Sequence, residues 1–210
     1  MAAVLLICGL LWMTYRTKGD TGAGGFPPIM WDWRRWRDVI YSASGIAPAD
    51  EVVQALFNAP TGDGIDRALV TGLAWDESSF NPRATGAAGE VGLMQLSTVA
   101  LQDVERLRDK VGATGFVARP ELRTDPEYSV RAATYYLRLL RTHYFEVYGL
   151  SQLERVTGDV ELLVLAWYKA GPGNLNSQAL EFAMRAKAKV AAIRREAEAY
   201  QQEVEALAGR

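Results

Sequence analysis

Glu77 lies in the stretch WDESSFNPRATGAAGEVGLMQL, Trp75 to Leu96, just ahead of an Asn-Pro break and a Gly/Ala-rich run. A glutamate in a partly apolar wall can protonate the oxygen of a glycosidic bond, because desolvation lifts its pKa toward the working pH. Val70, Ala74, Trp75 and Phe80 lie near enough along the chain to supply that wall. Taken alone, a glutamate near a helix end is more often a solvated charge. Other chemistries lack their residues. Cys8 is the single cysteine and His143 the single histidine, which excludes an intramolecular disulfide and argues against a Cys/His metal site or a Cys-His nucleophilic pair. Acid-base work therefore falls to carboxylates, and no metal or organic cofactor is expected. Asp76 would point about a helical step away from Glu77. Glu90, in the Gly/Ala run, is the spare carboxylate, with a solvated loop charge as its plainer reading.

The elements that must hold Glu77 read as helices. Leu69, Leu73, Asp76 and Phe80 recur at helical spacing, with Val70, Ala74 and Glu77 in a parallel row, so Glu77 emerges near the C-terminal end of a packed helix that Asn81-Pro82 terminates. Asp125, Pro126 and Glu127 form a helix start, followed by an apolar stripe of Val130, Ala133, Leu137, Leu140 and Tyr144. The run from Asp159 to about Ala170 reads as a buried helix broken by Gly171-Pro172-Gly173. From Ser177 on the chain has neither Gly nor Pro before Gly209, which predicts one long helix docked on a partner or on another copy. There is no internal repeat and no alternating strand pattern. The expected class is mainly α, with a hydrophobic N-terminal segment and a long C-terminal helix.

At 210 residues and 49% hydrophobic content the chain can bury one domain's core. A formal net charge of -2 points away from nucleic acid. Residues 2–15 are an apolar run too short for a clear spanning helix and without the basic start or small-residue cleavage site of a secretory signal. They read as a membrane-inserting or interface-anchoring segment, although Arg16 and Lys18 sit on the wrong side for a simple periplasm-facing anchor. Next come a Gly/Pro linker and a Trp/Arg stretch in which Trp33, Trp36 and Ile40 recur at helical spacing. That stretch suits either a lipid headgroup boundary or packing on the domain.

Three blocks, ESSFNP, GAAGEVGLMQL and AWYKAGPGNL, with DPEYSVRAATYYLRLL between the second and third, resemble in type and order the signature blocks of the soluble lytic transglycosylases, the goose-lysozyme-like enzymes that cleave peptidoglycan. The resemblance covers roughly Ile65 to Leu175. It implies a lysozyme-like helical fold and makes Glu77 the single catalytic carboxylate, followed by Ser78. Gly89 and Gly92 match loop glycines, Met94 and Gln95 match residues of the sugar-binding cleft, and Tyr168 matches a tyrosine facing the glutamate. The implied reaction is non-hydrolytic: Glu77 protonates the oxygen between N-acetylmuramic acid and N-acetylglucosamine. It then takes the proton of the muramyl 6-hydroxyl, which closes a 1,6-anhydro ring. Ordinary glycosidases generally need two carboxylates.

Residue types alone leave Gly89 and Gly92 as turn formers and Met94 as core, whereas Gln95, at the start of a buried run, needs polar partners that a sugar amide could supply. Two positions depart from the family pattern. Lys169 stands where an asparagine is usual, and Gly86 where a serine is common, with Thr85 beside it. The expected substrate-binding set is Ser78, Gly86, Met94, Gln95, Tyr168 and Lys169. The expected organisation is a membrane-associating segment at 1–16, a linker at 17–28, the Trp/Arg helix at 29–49, the transglycosylase domain at 50–177 and the C-terminal helix at 178–210. Expected partners are peptidoglycan glycan strands, a membrane surface, and proteins or a second copy along the C-terminal helix. The expected setting is the periplasmic side of the bacterial envelope, as part of a secretion machine, or a bacteriophage particle, which would need no signal peptide. A lysozyme-type hydrolase and a catalytically weak wall-binding module are the alternatives.

Overall fold

The structure, a computed structural model, describes residues 32–208. The expected membrane-associating segment at 1–16 and the linker at 17–28 lie outside them. Seven α-helices of eight residues or more organise the described chain: α1 Trp33–Ser44, α2 Asp50–Phe57, α3 Arg67–Ser78, α4 Thr98–Arg106, α5 Pro126–Leu139, α6 Val160–Ala170 and α7 Ser177–Ala208. α5 runs on into a π-helical stretch, Leu140–Gly149. Strand pairing among the described residues is limited to isolated bridges, as the absence of an alternating pattern predicts.

Helix starts follow side-chain capping. Asp66 accepts from Leu69 N at 2.6 Å, Asp125 from Tyr128 N at 2.7 Å and Asp159 from Leu162 N at 3.0 Å. Asp125→Ala should therefore lower stability by about 1 kcal/mol in urea unfolding, with no change in denaturant slope; an unchanged midpoint would contradict the cap. The end of α3 differs from expectation. The helix stops at Ser78, and Ser79 and Phe80 reverse the chain in the left-handed region at φ 51° and 65° before Asn81-Pro82 is reached. Phe80 N donates to Ala74 O at 3.5 Å and Ser79 N to Trp75 O at 3.1 Å, the latter the bond of an αL-type closure. It also drops the Phe80 ring into the core, and that burial favours the reversal over continued helix.

The core is continuous from α1 to α7. In α1, Trp36 is fully buried and donates its indole N–H to Thr71 Oγ1 at 3.1 Å, while Val39 and Ile40 are buried beside it. Of the two readings of the Trp/Arg stretch, packing on the domain is the arrangement found at Trp36. α7 lies along α3, α6 and α1 of its own chain. Ala179, Phe182, Ala183, Ala186, Val190, Ile193 and Ala197 form its buried face at helical spacing.

Its cations reach the acidic residues of α3 and α6. Lys187 pairs with the cap residue Asp159, and Arg194 meets both Asp66, at 2.9 Å, and Glu161, at 2.7 Å. Arg185 and Lys189 meet Asp76 at 3.1 and 2.8 Å. The long tail thus clamps together the two helices that carry Glu77 and Tyr168-Lys169.

Candidate active site

Glu77 is the penultimate residue of α3, and its side chain is 5% exposed. Apolar surroundings penalise the ionised form, so burial pushes its carboxyl up from the ordinary 4.5 to about 7. Lys169 pulls the other way, with Nζ 3.7 Å from Oε2, while the negative charges of Asp76 and Glu90 add to the rise. The result is a carboxyl that exchanges its proton near neutral pH, which is what general acid-base work requires.

Three elements meet at this residue: the end of α3, the loop of residues 84–96 and the C-terminal half of α6. Ser78 Oγ lies within hydrogen-bond reach of Ala74 O and Leu93 O, at 3.1 and 2.8 Å, which pins the helix end to the loop. Tyr168 donates its hydroxyl to Met94 O at 2.7 Å, and Ser129 Oγ of α5 accepts from Met94 N at 3.3 Å. Burial, and after it the negative charge of Glu77, pushes the Tyr168 hydroxyl well above the usual tyrosine range, so it stays a donor. Gly92, at φ 90°, passes so close to Arg123 that a Cβ would sit 1.8 Å from the Arg123 carbonyl oxygen. Glycine is required there both for the left-handed backbone and for the approach.

The residues singled out in the sequence converge here, but several act on the protein itself. The Met94 side chain is fully buried, so it is core, and its backbone serves the site. Gln95 donates both amide hydrogens inward, to Ala84 O at 3.0 Å and Gly92 O at 2.8 Å. The partners of its NH2 group are therefore backbone carbonyls of its own loop. At Gly86 a Cβ would meet Glu90 Oε2 at 2.5 Å and Gln95 Oε1 at 2.9 Å, so Glu90 folds into the space a side chain would take. Glu90 also accepts from Ala88 N at 3.1 Å. It is thus a loop-forming residue, and more than a solvated charge. Thr85 pairs across the loop with Val91 in an isolated bridge. Among the described residues no group of His, Cys, Asp and Glu could hold a metal ion.

A family model described as "Transglycosylase SLT domain" matches residues 54–191, most of the described chain. The chain belongs to the transglycosylase SLT domain family. The SLT match runs from within α2 into the middle of α7, so it takes in Glu77, the loop, α6 and, of the α7 clamp, Arg185, Lys187 and Lys189. Curated relatives named membrane-bound lytic murein transglycosylase C are similar to this SLT chain. That of Actinobacillus succinogenes is 34% identical over 111 residues, 52% of this chain and 28% of the relative. That of Pectobacterium atrosepticum is 33% identical over 113 residues, 53% and 29% of the two chains. That of Photorhabdus laumondii is 38% identical over 82 residues, 39% and 22%. The similarity thus spans less than a third of each relative's length.

Sequence reasoning missed the partners of Asp76. Its side chain, 1% exposed, takes Arg185 and Lys189 from a helix more than a hundred residues on. No local spacing signals such a pair. A hint was present in the cationic face of α7, where Arg185 and Lys189 recur at helical spacing.

A cavity of about 360 Å³ lined by Phe116, Arg119, Tyr128, Arg131 and Tyr135, among others, includes none of these site residues and no carboxylate. It is not the candidate site.

Proposed function

We propose that this SLT chain is a lytic transglycosylase that cleaves the bond between N-acetylmuramic acid and N-acetylglucosamine in peptidoglycan and leaves a 1,6-anhydro-muramyl end. The observation that carries the proposal is the single free-acting carboxyl: Glu77 is buried and poised near neutral pH. Its neighbour Asp76 is matched by two cations, and Glu90 is turned into its own loop. In the first half of the reaction Glu77 gives its proton to the glycosidic oxygen as the bond to the anomeric carbon breaks, and N-acetylglucosamine leaves with a hydroxyl. In the second half the Glu77 carboxylate takes the proton of the muramyl 6-hydroxyl as that oxygen bonds to the anomeric carbon. No water is consumed, and Glu77 ends protonated, ready for another turnover. One carboxylate suffices because the nucleophile is part of the substrate.

The free enzyme must begin with Glu77 protonated, so kcat/KM on isolated peptidoglycan should fall as pH rises through about 7. Well above that value the fall should approach about tenfold per pH unit. A profile flat from about pH 6 to about pH 9 would count against Glu77 as the acid.

The names of the relatives and the apolar run at residues 2–15 support a place at the bacterial envelope membrane. Among the described residues no helix is long and apolar enough to cross a membrane. The finer proposal is local wall opening for a secretion machine or a bacteriophage particle. Recovery of the chain in purified envelopes or virions would support it, and cleavable export of the full-length chain as a free periplasmic enzyme would contradict it.

A further inference from the structure

We propose that Lys169 is a positioning residue for Glu77, a built-in counter-ion for the carboxylate that forms midway through the reaction. This rests on the reading of Glu77 as acid and then base. The sequence comparison suggested a different role for Lys169, a contact with the sugar.

The geometry favours the carboxylate as its target. Lys169 Nζ stands 3.7 Å from Glu77 Oε2, and the Glu77 side chain is 5% exposed while that of Lys169 is 35% exposed. The cation therefore keeps much of its hydration while the anion it faces has lost nearly all of its own. A carboxylate stripped of water forms reluctantly unless a positive charge is within a few ångströms. Lys169 is held where it can serve. It is the penultimate residue of α6, where the helix dipole favours a cation, and its ammonium lies over the Phe182 ring of α7 at 5.4 Å from the centroid.

The other charged and titratable groups around Glu77 are committed or of the wrong sign. On its own helix, Asp76 is negative and is taken up by Arg185 and Lys189 of α7. From the loop, Glu90 is negative and bonded to Ala88 N. From α6, the Tyr168 hydroxyl donates to Met94 O. Lys169 is the cation in contact with the carboxylate. At 3.7 Å, with the ammonium partly in water, the pair is loose enough for Glu77 still to take up a proton near neutrality. An asparagine here would leave the carboxylate without that charge.

The test uses the full chain labelled with ¹³C at glutamate carboxyls, with the Glu77 signal identified by its loss in Glu77→Gln. Wild type, Lys169→Met and Lys169→Arg are titrated by NMR, and the pH profile of kcat/KM on peptidoglycan is measured for each. The Glu77 midpoint should move up by about one pH unit or more in Lys169→Met, and the alkaline limb of the activity profile should move with it. Lys169→Arg should restore both to near the wild-type position. A midpoint unchanged within about 0.3 pH unit in Lys169→Met would overturn the proposal, even if activity fell, because a merely structural role lowers activity without moving the titration. Lys169→Gln serves if the Met variant fails to fold. A midpoint that depends on Lys169 in a chain that releases no muropeptides would uphold the pairing and sink the proposed reaction, so the two failures are distinct.

Discussion

Glu77→Gln should lower peptidoglycan cleavage by about 10³-fold or more while leaving the fold as stable as wild type or more so. The activity loss follows because glutamine can neither deliver a proton to the glycosidic oxygen nor collect one from the 6-hydroxyl, and no second carboxyl is placed to replace it. The stability gain follows from the direction of the pKa shift. A carboxyl raised from 4.5 to about 7 by burial binds its proton more tightly in the folded chain than in the unfolded one. Its favourable contribution is complete below pH 4.5 and is lost as pH rises through about 7. Above that, the buried charge costs about 3 kcal/mol relative to a neutral group. Gln carries no charge to bury, so the variant should gain most over wild type at alkaline pH and little in acid. Lys169, left without its partner, is partly solvated and adds only a small penalty. Urea unfolding of both proteins across this pH range, alongside muropeptide release, checks the two halves together. A variant that retained activity would remove Glu77 from the chemistry, and one that unfolded would make it a structural residue.

The second large effect is expected at Gly72, in the middle of α3, the helix that carries Glu77. Replacing a mid-helix glycine by alanine ordinarily stabilises by about 1 kcal/mol, because glycine loses more backbone entropy on folding. Here the sign should reverse. A Cβ at Gly72 would meet Val190 Cα and N at 2.6 Å and its Cγ2 at 2.7 Å, and backbone atoms of a packed helix cannot step aside as a flexible side chain can. α7 would have to lift away from α3, which would disturb Arg185 and Lys189 at Asp76 and, beside them, Phe182 under Lys169. We expect Gly72→Ala to destabilise by about 1–3 kcal/mol as an overpacking substitution, and to lower activity as well. A Gly72→Ala protein more stable than wild type would show that the contact between α3 and α7 is looser than described.

Helical periodicity made much of this architecture legible. The row through Val70, Ala74 and Glu77 and the caps at Asp125 and Asp159 each depend on residues within a few turns of one another, so local spacing reports them. The reversal after Ser78 was misplaced because Asn81-Pro82 is the stronger local breaker. What decides the turn is instead the burial of Phe80 in a core assembled from distant parts of the chain. The roles within the site divide in the same way. That Glu77 and Tyr168 come near one another is expected from the ordered motif blocks. That Met94 packs inward and that Gln95 spends its amide on its own loop depends on how residues 84–96 fold back, which residue types do not determine. The clamp on Asp76 and the approach of Lys169 to Glu77 join residues about a hundred positions apart, and only the packing of α6 and α7 brings them together.

The measurement that tests the central claim most directly is mass spectrometry of the soluble products after the full-length chain digests purified peptidoglycan, with Glu77→Gln run in parallel. The account predicts 1,6-anhydro-muropeptides from wild type and none from the variant. Products one water heavier, with reducing muramic ends, would contradict it in favour of a hydrolase. No products from wild type, with binding to the wall retained, would make the chain a wall-binding module that kept the cleft and lost the reaction.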